Sequence, residues 1–210
     1  MMEVELKAHV SDPELTRKRL EAFCRLDRDF DKRDAYWHGP LWRKEGDTRG
    51  FRLRTDGGDS FVTFKDKRLE GGIEVNRERE FTVSDPVAFA EFAGRLGCEP
   101  HFEKRKRGSR YEAAEGARTA AGAGTANSAG TANSAGTANM SSIGLELAEI
   151  EGIGWFLEIE ALVPEGDPAA VSAARAELRS LLARAGLDGD AIEPRFYSEL
   201  LMAAGRVAQA

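Results

Sequence analysis

Met2-Glu3-Val4-Glu5-Leu6-Lys7-Ala8 opens the chain with a strict alternation of charged and apolar side chains. Residues two apart on a β-strand share a face, so Glu3, Glu5 and Lys7 fall on one side and Val4 and Leu6 on the other. The alternation returns at Phe156-Leu157-Glu158-Ile159-Glu160-Ala161. Between these lie Gly50-Phe51-Arg52-Leu53-Arg54-Thr55, Ser60-Phe61-Val62-Thr63-Phe64-Lys65-Asp66 and a run over 73–83 that contains Glu78 and Glu80. One such stretch would be an ordinary solvated strand. Acids and bases in phase on strand after strand point to a polar surface built for a ligand.

Three helices open with one device. Asp12-Pro13, Asp85-Pro86 and Asp167-Pro168 each supply a capping carboxylate followed by a proline at the first helical position. Leu15, Leu20 and Phe23 give the first helix an apolar stripe. Val87, Phe89, Phe92 and Leu96 do so for the second, which Gly97 stops. Val171, Leu178, Leu181 and Leu182 do so for the third, with Gly186 beyond. A terminal helix is expected over 193–201. Asp34-Ala35-Tyr36-Trp37 reads as a short strand and Asp56-Gly57-Gly58-Asp59 as a hairpin turn. A basic strand is expected over 102–111, and the last two strands over 142–150 and 155–163. Residues 113–139 differ in kind, with Gly-Thr-Ala-Asn-Ser-Ala repeating from Gly124 and Gly130. So little apolar area cannot offset the entropy of ordering. This run reads as a disordered insertion in a hairpin loop of a single domain spanning 1–210.

The chain has 210 residues, 41% hydrophobic and 31% charged, with a net charge of −6. That balance speaks against a general nucleic-acid binder. Cys24 and Cys98 form no disulfide framework, which suits a reducing compartment. Charge from Glu3 onward argues against a signal peptide, and no run approaches the roughly 18 apolar residues of a membrane span. A cytoplasmic protein with no membrane partner is expected. His9, His38 and His101 lack metal-ligand spacing and are read as surface or loop residues. Trp37, Trp42, Trp155 and the phenylalanines are read as core, not as a base-stacking platform. No Gly-x-x-x-x-Gly-Lys-Ser/Thr loop is present, which excludes ATP binding through a P-loop.

Helices with one apolar stripe must bury it. Val4 and Leu6, Phe51 and Leu53, Val62 and Phe64, Phe81 and Val83, and Leu157 and Ile159 offer the face to cover. The opposite face then carries Glu3, Glu5, Lys7, Arg52, Arg54, Thr63, Lys65, Glu78, Glu80, Glu158 and Glu160. Around eight antiparallel strands can curl into a barrel with that face inside. Enclosed charge must be paired, hydrated or metal-bound. Arg and Lys in a wet tunnel can hold the oxygens of a triphosphate. Carboxylates on the same wall make sense if Mg2+ or Mn2+ bridges them to the phosphates.

Glu3-x-Glu5-x-Lys7 resembles the ExExK signature of the CYTH superfamily, the triphosphate tunnel metalloenzymes. That group includes class IV adenylate cyclases, thiamine triphosphatases and inorganic tripolyphosphatases. The resemblance continues in chain order through Asp34-x-Tyr36, Arg52-x-Arg54, Thr63-x-Lys65, Glu78-x-Glu80, the basic run from Lys104, Gly154-Trp155-Phe156-Leu157-Glu158-Ile159-Glu160, and Tyr197 with Leu200-Leu201. It covers nearly everything except the insertion. It implies an α+β fold, an antiparallel eight-stranded β-barrel with helices packed outside. It implies Glu3, Glu5, Glu158 and Glu160 as ligands of Mg2+ or Mn2+, with Glu78 and Glu80 helping. Lys7, Arg52, Arg54, Lys65 and one or two residues of 104–107 would bind phosphate. Family members usually show a Lys-x-Arg pair. Here Lys104/Lys106 and Arg105/Arg107 each share a face, and Lys104 with Lys106 is the preferred pair.

One departure stands out. Ala148 occupies the position where relatives commonly carry Asp. Glu146, two residues earlier on the same face, is the candidate to replace it, and Lys7 and Glu146 are the residues assigned to catalysis. The first functional reading is a class IV-type adenylate cyclase that converts ATP to cyclic AMP and pyrophosphate. The second is a triphosphatase of the same fold acting on tripolyphosphate, thiamine triphosphate or a nucleoside triphosphate. The third, favoured by Ala148, is a non-catalytic nucleotide or polyphosphate sensor. The expected partner is a small-molecule triphosphate, ATP first, with a homodimer left open. The run 104–107 taken alone would read as a nucleic-acid or localisation patch.

Overall fold

The computed structural model describes residues 1–39, 50–113 and 143–206. Trp42 and all but the first residue of the expected insertion lie outside these. Eight antiparallel strands close into a barrel: β1 (Met2–His9), β2 (Cys24–His38), β3 (Phe51–Asp56), β4 (Asp59–Glu70), β5 (Ile73–Thr82), β6 (Glu99–Ala113), β7 (Ile143–Ile150) and β8 (Gly154–Val163). Around the wall they neighbour in the order β1-β5-β4-β3-β2-β6-β7-β8. Closure leaves no unpaired edge, and the two-residue alternation sorts side chains between the inside and the outside. The helices are α1 (Pro13–Glu21), α2 (Pro86–Arg95), α3 (Pro168–Arg184) and α4 (Tyr197–Ala203). No helix among the described residues is long and apolar enough to cross a membrane.

The Asp-Pro starts form as the sequence indicates. The Asp12 carboxylate accepts from the Leu15 amide, Asp85 from Val87 and Ala88, and Asp167 from Ala170, at 2.9–3.0 Å. Each cap is worth about 1 kcal/mol. α3 lies on the outer face of β1 and β8. Its Ala174, Leu178, Leu181 and Leu182 join Val4, Leu6, Leu145, Leu147, Leu157 and Ile159 in one buried cluster. At one end of the barrel a smaller cluster, Ile150, Phe156 and Leu200 with Tyr197 against it, ties α4 to the wall. At Gly108 β6 passes close against β7: a Cβ there would lie 2.1 Å from the Leu147 carbonyl oxygen.

Several expectations are corrected. The short strand around Tyr36 is the end of the 15-residue β2, paired with the equally long β6. α1 stops at Glu21, so Phe23 falls beyond it, and Leu15 is exposed. The terminal helix begins at Tyr197. Glu193 lies before it as a buried tie, its amide donating to the Lys7 carbonyl at 2.9 Å. The apolar outer face is covered only in part. Leu53 and Val62 are buried, but Phe64, Phe81, Val87, Phe92 and Leu96 are exposed.

Candidate active site: a charged cavity inside the barrel

The inward phase of the strands faces a cavity of about 780 Å³. Glu3, Glu5, Arg52, Arg54, Thr63, Lys65, Glu78, Glu80, Lys104, Lys106, Glu146, Glu158 and Glu160 all line it. Lys7 is buried just behind this lining, its Nζ 3.8 Å from Glu74 and 4.8 Å from the centre of the Tyr197 ring. Pairing resolves the ambiguous basic strand. Lys104 and Lys106 are buried on the inside, while Arg105 and Arg107 pair outside with Asp31 and Glu149.

The charges sit in distinct groups. Lys65 Nζ donates to both Glu3 oxygens at 2.8 and 2.9 Å, with Glu78 at 2.6 Å and Glu5 at 3.8 Å. Arg54 grips Asp34 through two hydrogen bonds of 2.6 and 2.8 Å, and Lys104 stands 3.3 Å from the same carboxylate. Burial alone would raise the Asp34 pKa. Lys104 and Arg54 overcome it and hold the carboxyl far below its usual range. Glu146 accepts from Lys32, Lys106 and Arg110 at 2.6, 2.6 and 2.9 Å. There too burial is outweighed, by Lys106 and Lys32, and the group stays ionised. Lys106 also bonds Glu158, whose other oxygen accepts from the Tyr197 hydroxyl at 2.5 Å. Burial opposes ionisation of Glu158, but Lys106 prevails and brings it down to about 2. Arg52 donates to Thr63 Oγ1 at 2.9 Å, which donates to Glu80 at 2.8 Å.

Glu3 and Glu5 are the exceptions. Burial raises the Glu3 carboxyl against the pull of Lys65. At Glu5, burial and then the neighbouring Glu74 push the carboxyl up to about 8, again against Lys65. This carboxylate is short of positive charge. The lining as a whole carries eight Lys and Arg against nine Glu, so a triphosphate would bring negative charge that the wall does not offset. Both facts suit a hard divalent cation held by carboxylate oxygens. Among the described residues no three acidic, His or Cys side chains are already grouped as metal ligands. Lys65 Nζ stands among Glu3, Glu5 and Glu78, and those carboxylates would have to turn from it toward a metal.

Four further charged strand residues of the lining were not singled out from sequence: Lys32, Lys67, Glu74 and Arg110. Each lies two or four residues from one that was, on the same face, so the phase itself was the available signal. The aromatic and histidine expectations change as well. Trp37, Phe51 and Phe102 line the cavity, as do His38 and His101. Trp155 packs on the core, and His9 hydrogen-bonds Glu193 at 2.8 Å.

The family model described as the CYTH domain matches residues 1–197. The chain belongs to the CYTH family. No curated protein matches its sequence. Among solved structures, the PH1819 protein of Pyrococcus horikoshii OT3 superposes on this CYTH chain with a TM-score of 0.72, at 23% identity, over 96% of this chain and 98% of that one. A candidate adenylate cyclase of Vibrio parahaemolyticus gives 0.70 at 16% identity, over 96% and 98%. A candidate adenylyl cyclase of Hippeastrum, described by a dominant triphosphatase activity, gives 0.56 at 15% identity, over 99% and 97%. At these identities the likeness establishes the CYTH tunnel fold. As a family of triphosphate tunnel metalloenzymes, CYTH proteins imply a divalent cation.

Proposed function

We propose that this CYTH protein binds a triphosphate together with a divalent cation inside the barrel and turns it over there, as a class IV-type adenylate cyclase forming cyclic AMP and pyrophosphate from ATP. The observation that supports this reading is the cavity: an enclosed space faced by eight Lys and Arg side chains from four strands, with carboxylates beside them.

The roles follow from position. Arg52 and Arg54 hold phosphate oxygens in forked fashion, and Lys65, Lys104 and Lys106 act as point charges. Glu3, Glu5, Glu158 and Glu160, with Glu78 and Glu80, hold Mg2+ or Mn2+, which when bound neutralises charge developing on the phosphoryl group. Lys7, buried beside Glu74, reaches the phosphates on displacing the Tyr197 ring. Glu146 is a positioning residue: with three cations on it, it fixes Lys32, Lys106 and Arg110 and has no proton to give. Fixed charges in a sheltered site stabilise a transition state more than they would in water.

A triphosphatase is the second reading, and the volume favours it. About 780 Å³ leaves room beside a triphosphate for several waters, each occupying about 30 Å³. The test is incubation of purified protein with ATP, thiamine triphosphate or tripolyphosphate and Mg2+ or Mn2+, with products resolved by chromatography. Cyclic AMP with pyrophosphate supports the cyclase. Orthophosphate supports the hydrolase. Failure to turn over any of them overturns both.

A further inference from the structure

Two residues of β1 meet two of β5 in an unusual block. The register sets Glu3 opposite Asn76 and Glu5 opposite Glu74, and alternation turns all four side chains to the inside of the barrel. Opposite residues of an antiparallel pair hold their Cβ atoms about 5 Å apart. Four oxygen-bearing side chains therefore share one corner of the interior. Asn76 is fully buried, and Glu3 and Glu74 are buried beside it. Like charges directly opposite, as Glu5 and Glu74 are, destabilise a sheet. The block is costly unless a cation shares it.

Asn76 marks where that cation belongs. Its Nδ2 donates to Glu3 Oε1 at 3.3 Å and to Glu74 Oε2 at 3.2 Å, which fixes the amide between the two carboxylates. Its Oδ1 can only accept and has no donor among the described residues. A buried acceptor left without a donor costs about 1–3 kcal/mol. Amide and carboxylate oxygens together form the donor set of a hard cation. The inner face of β7 offers no such set. Ala148 there brings no side-chain oxygen, and Glu146 is taken up by Lys32, Lys106 and Arg110.

Lysines balance the block in this structure. Lys65 donates to Glu3 at 2.8 Å, and Lys67 and Lys7 stand 3.3 and 3.8 Å from Glu74. Glu5 has only Lys65, at 3.8 Å. Lys65 and Lys7 are the ammonium groups that the triphosphate reading turns toward phosphate. Once they turn, Lys67 alone faces the three carboxylates of the block. The shortfall is then the charge of one divalent cation.

Resting on that reading, we infer that Glu74 and the Asn76 Oδ1 complete, with Glu3 and Glu5, a divalent-cation position on the β5 side of the cavity. The pairing of Glu74 with lysines is the resting state of this position, and the cation replaces them.

The experiment titrates Mn2+ into the purified protein without substrate and counts the unbound ion by its EPR signal. Wild type should take up Mn2+. Glu74→Gln keeps the shape and loses the charge, and should bind Mn2+ more weakly by at least about tenfold, the smallest loss expected even for an outer partner of a metal ligand. A carboxylate that only paired lysines would shift the Tm of Glu74→Gln and leave its Mn2+ affinity at the wild-type value, and that result overturns the inference. Should Glu74→Gln not fold, Asn76→Asp adds a carboxylate to the block and should tighten Mn2+ binding. An affinity unchanged or weakened there overturns the inference as well. In both cases the triphosphate reading stands. A wild type that takes up no Mn2+ overturns the inference alone if it still turns over ATP, thiamine triphosphate or tripolyphosphate, and overturns both if it turns over none.

Discussion

The barrel has two unlike walls. Over β1, β7 and β8 the outer face is sealed: Leu6, Leu145, Leu147, Leu157 and Ile159 are fully buried in one cluster with Leu20 of α1 and the apolar residues of α3. Over β4 and β5 it is largely open. Phe64 and Phe81 are about half exposed, and Val87, Phe92 and Leu96 of the α2 segment are more so. Aromatic edges join α2 to this side of the barrel, Phe51 of β3 and Phe81 of β5 meeting Phe89 at 5.7 and 6.3 Å, and Ala93 is the buried residue of the helix. The sealed wall therefore has an apolar layer outside and an ionic hub inside, whereas the open wall depends on its strand ladders and its inward charges. Stability should be concentrated on the sealed side.

The largest expected effect lies inside the sealed wall. Glu146→Ala leaves Lys32, Lys106 and Arg110 facing one another without their shared carboxylate, and removing one partner of a buried ion pair costs about 4 kcal/mol. Denaturant unfolding measures it, and a loss below about 1 kcal/mol would show that the hub is hydrated and unimportant to the fold. Next comes Leu178→Ala on α3, expected to cost about 3 kcal/mol through lost burial and the cavity left behind.

The strap that joins α3 to α4 gives a smaller and pH-dependent effect. Hydrogen bonds from Arg195, with burial opposing and His9 assisting, hold the Glu193 carboxyl down to about 2. A depressed acid contributes stability that is complete above its unfolded value of about 4.5 and is lost as pH falls toward the folded one. Glu193→Gln should cost about 2 kcal/mol at neutral pH. Between pH 5 and 3 the Tm of wild type should fall more steeply than that of the variant. Parallel curves would remove Glu193 from the account. The smallest effect belongs to the open wall, where Phe92→Ser should change stability by no more than about 0.5 kcal/mol. A cost matching that of Leu178→Ala would abolish the contrast between the walls.

The sealed wall was also the more legible in sequence. β1 and β8 alternate cleanly because one face is apolar and the other charged, and the register Glu5↔Glu160 and Lys7↔Glu158 places both charged faces together. β2 hid most of its length. Arg25, Asp27, Arg28, Asp29, Asp31 and Arg33 put charge on both faces, so no hydrophobic period marks it. Cross-strand partners on β6 support it instead: Glu112 for Arg25, Arg105 for Asp31 and Ser109 for Asp29. Lys32 was lost with that strand. α2 misled in the other direction, since its apolar stripe is real but finds little to cover it.

The central claim is that the charged interior is where a triphosphate and a divalent cation meet. A crystal structure grown with Mn2+ and tripolyphosphate tests it most directly, because Mn2+ is visible by anomalous scattering. The account predicts an anomalous peak bounded by Glu5 and Glu158, with phosphate oxygens on Arg52, Arg54 and Lys106. Phosphate bound on the outer surface, or an interior that keeps its present ion pairs at saturating ligand, would contradict it.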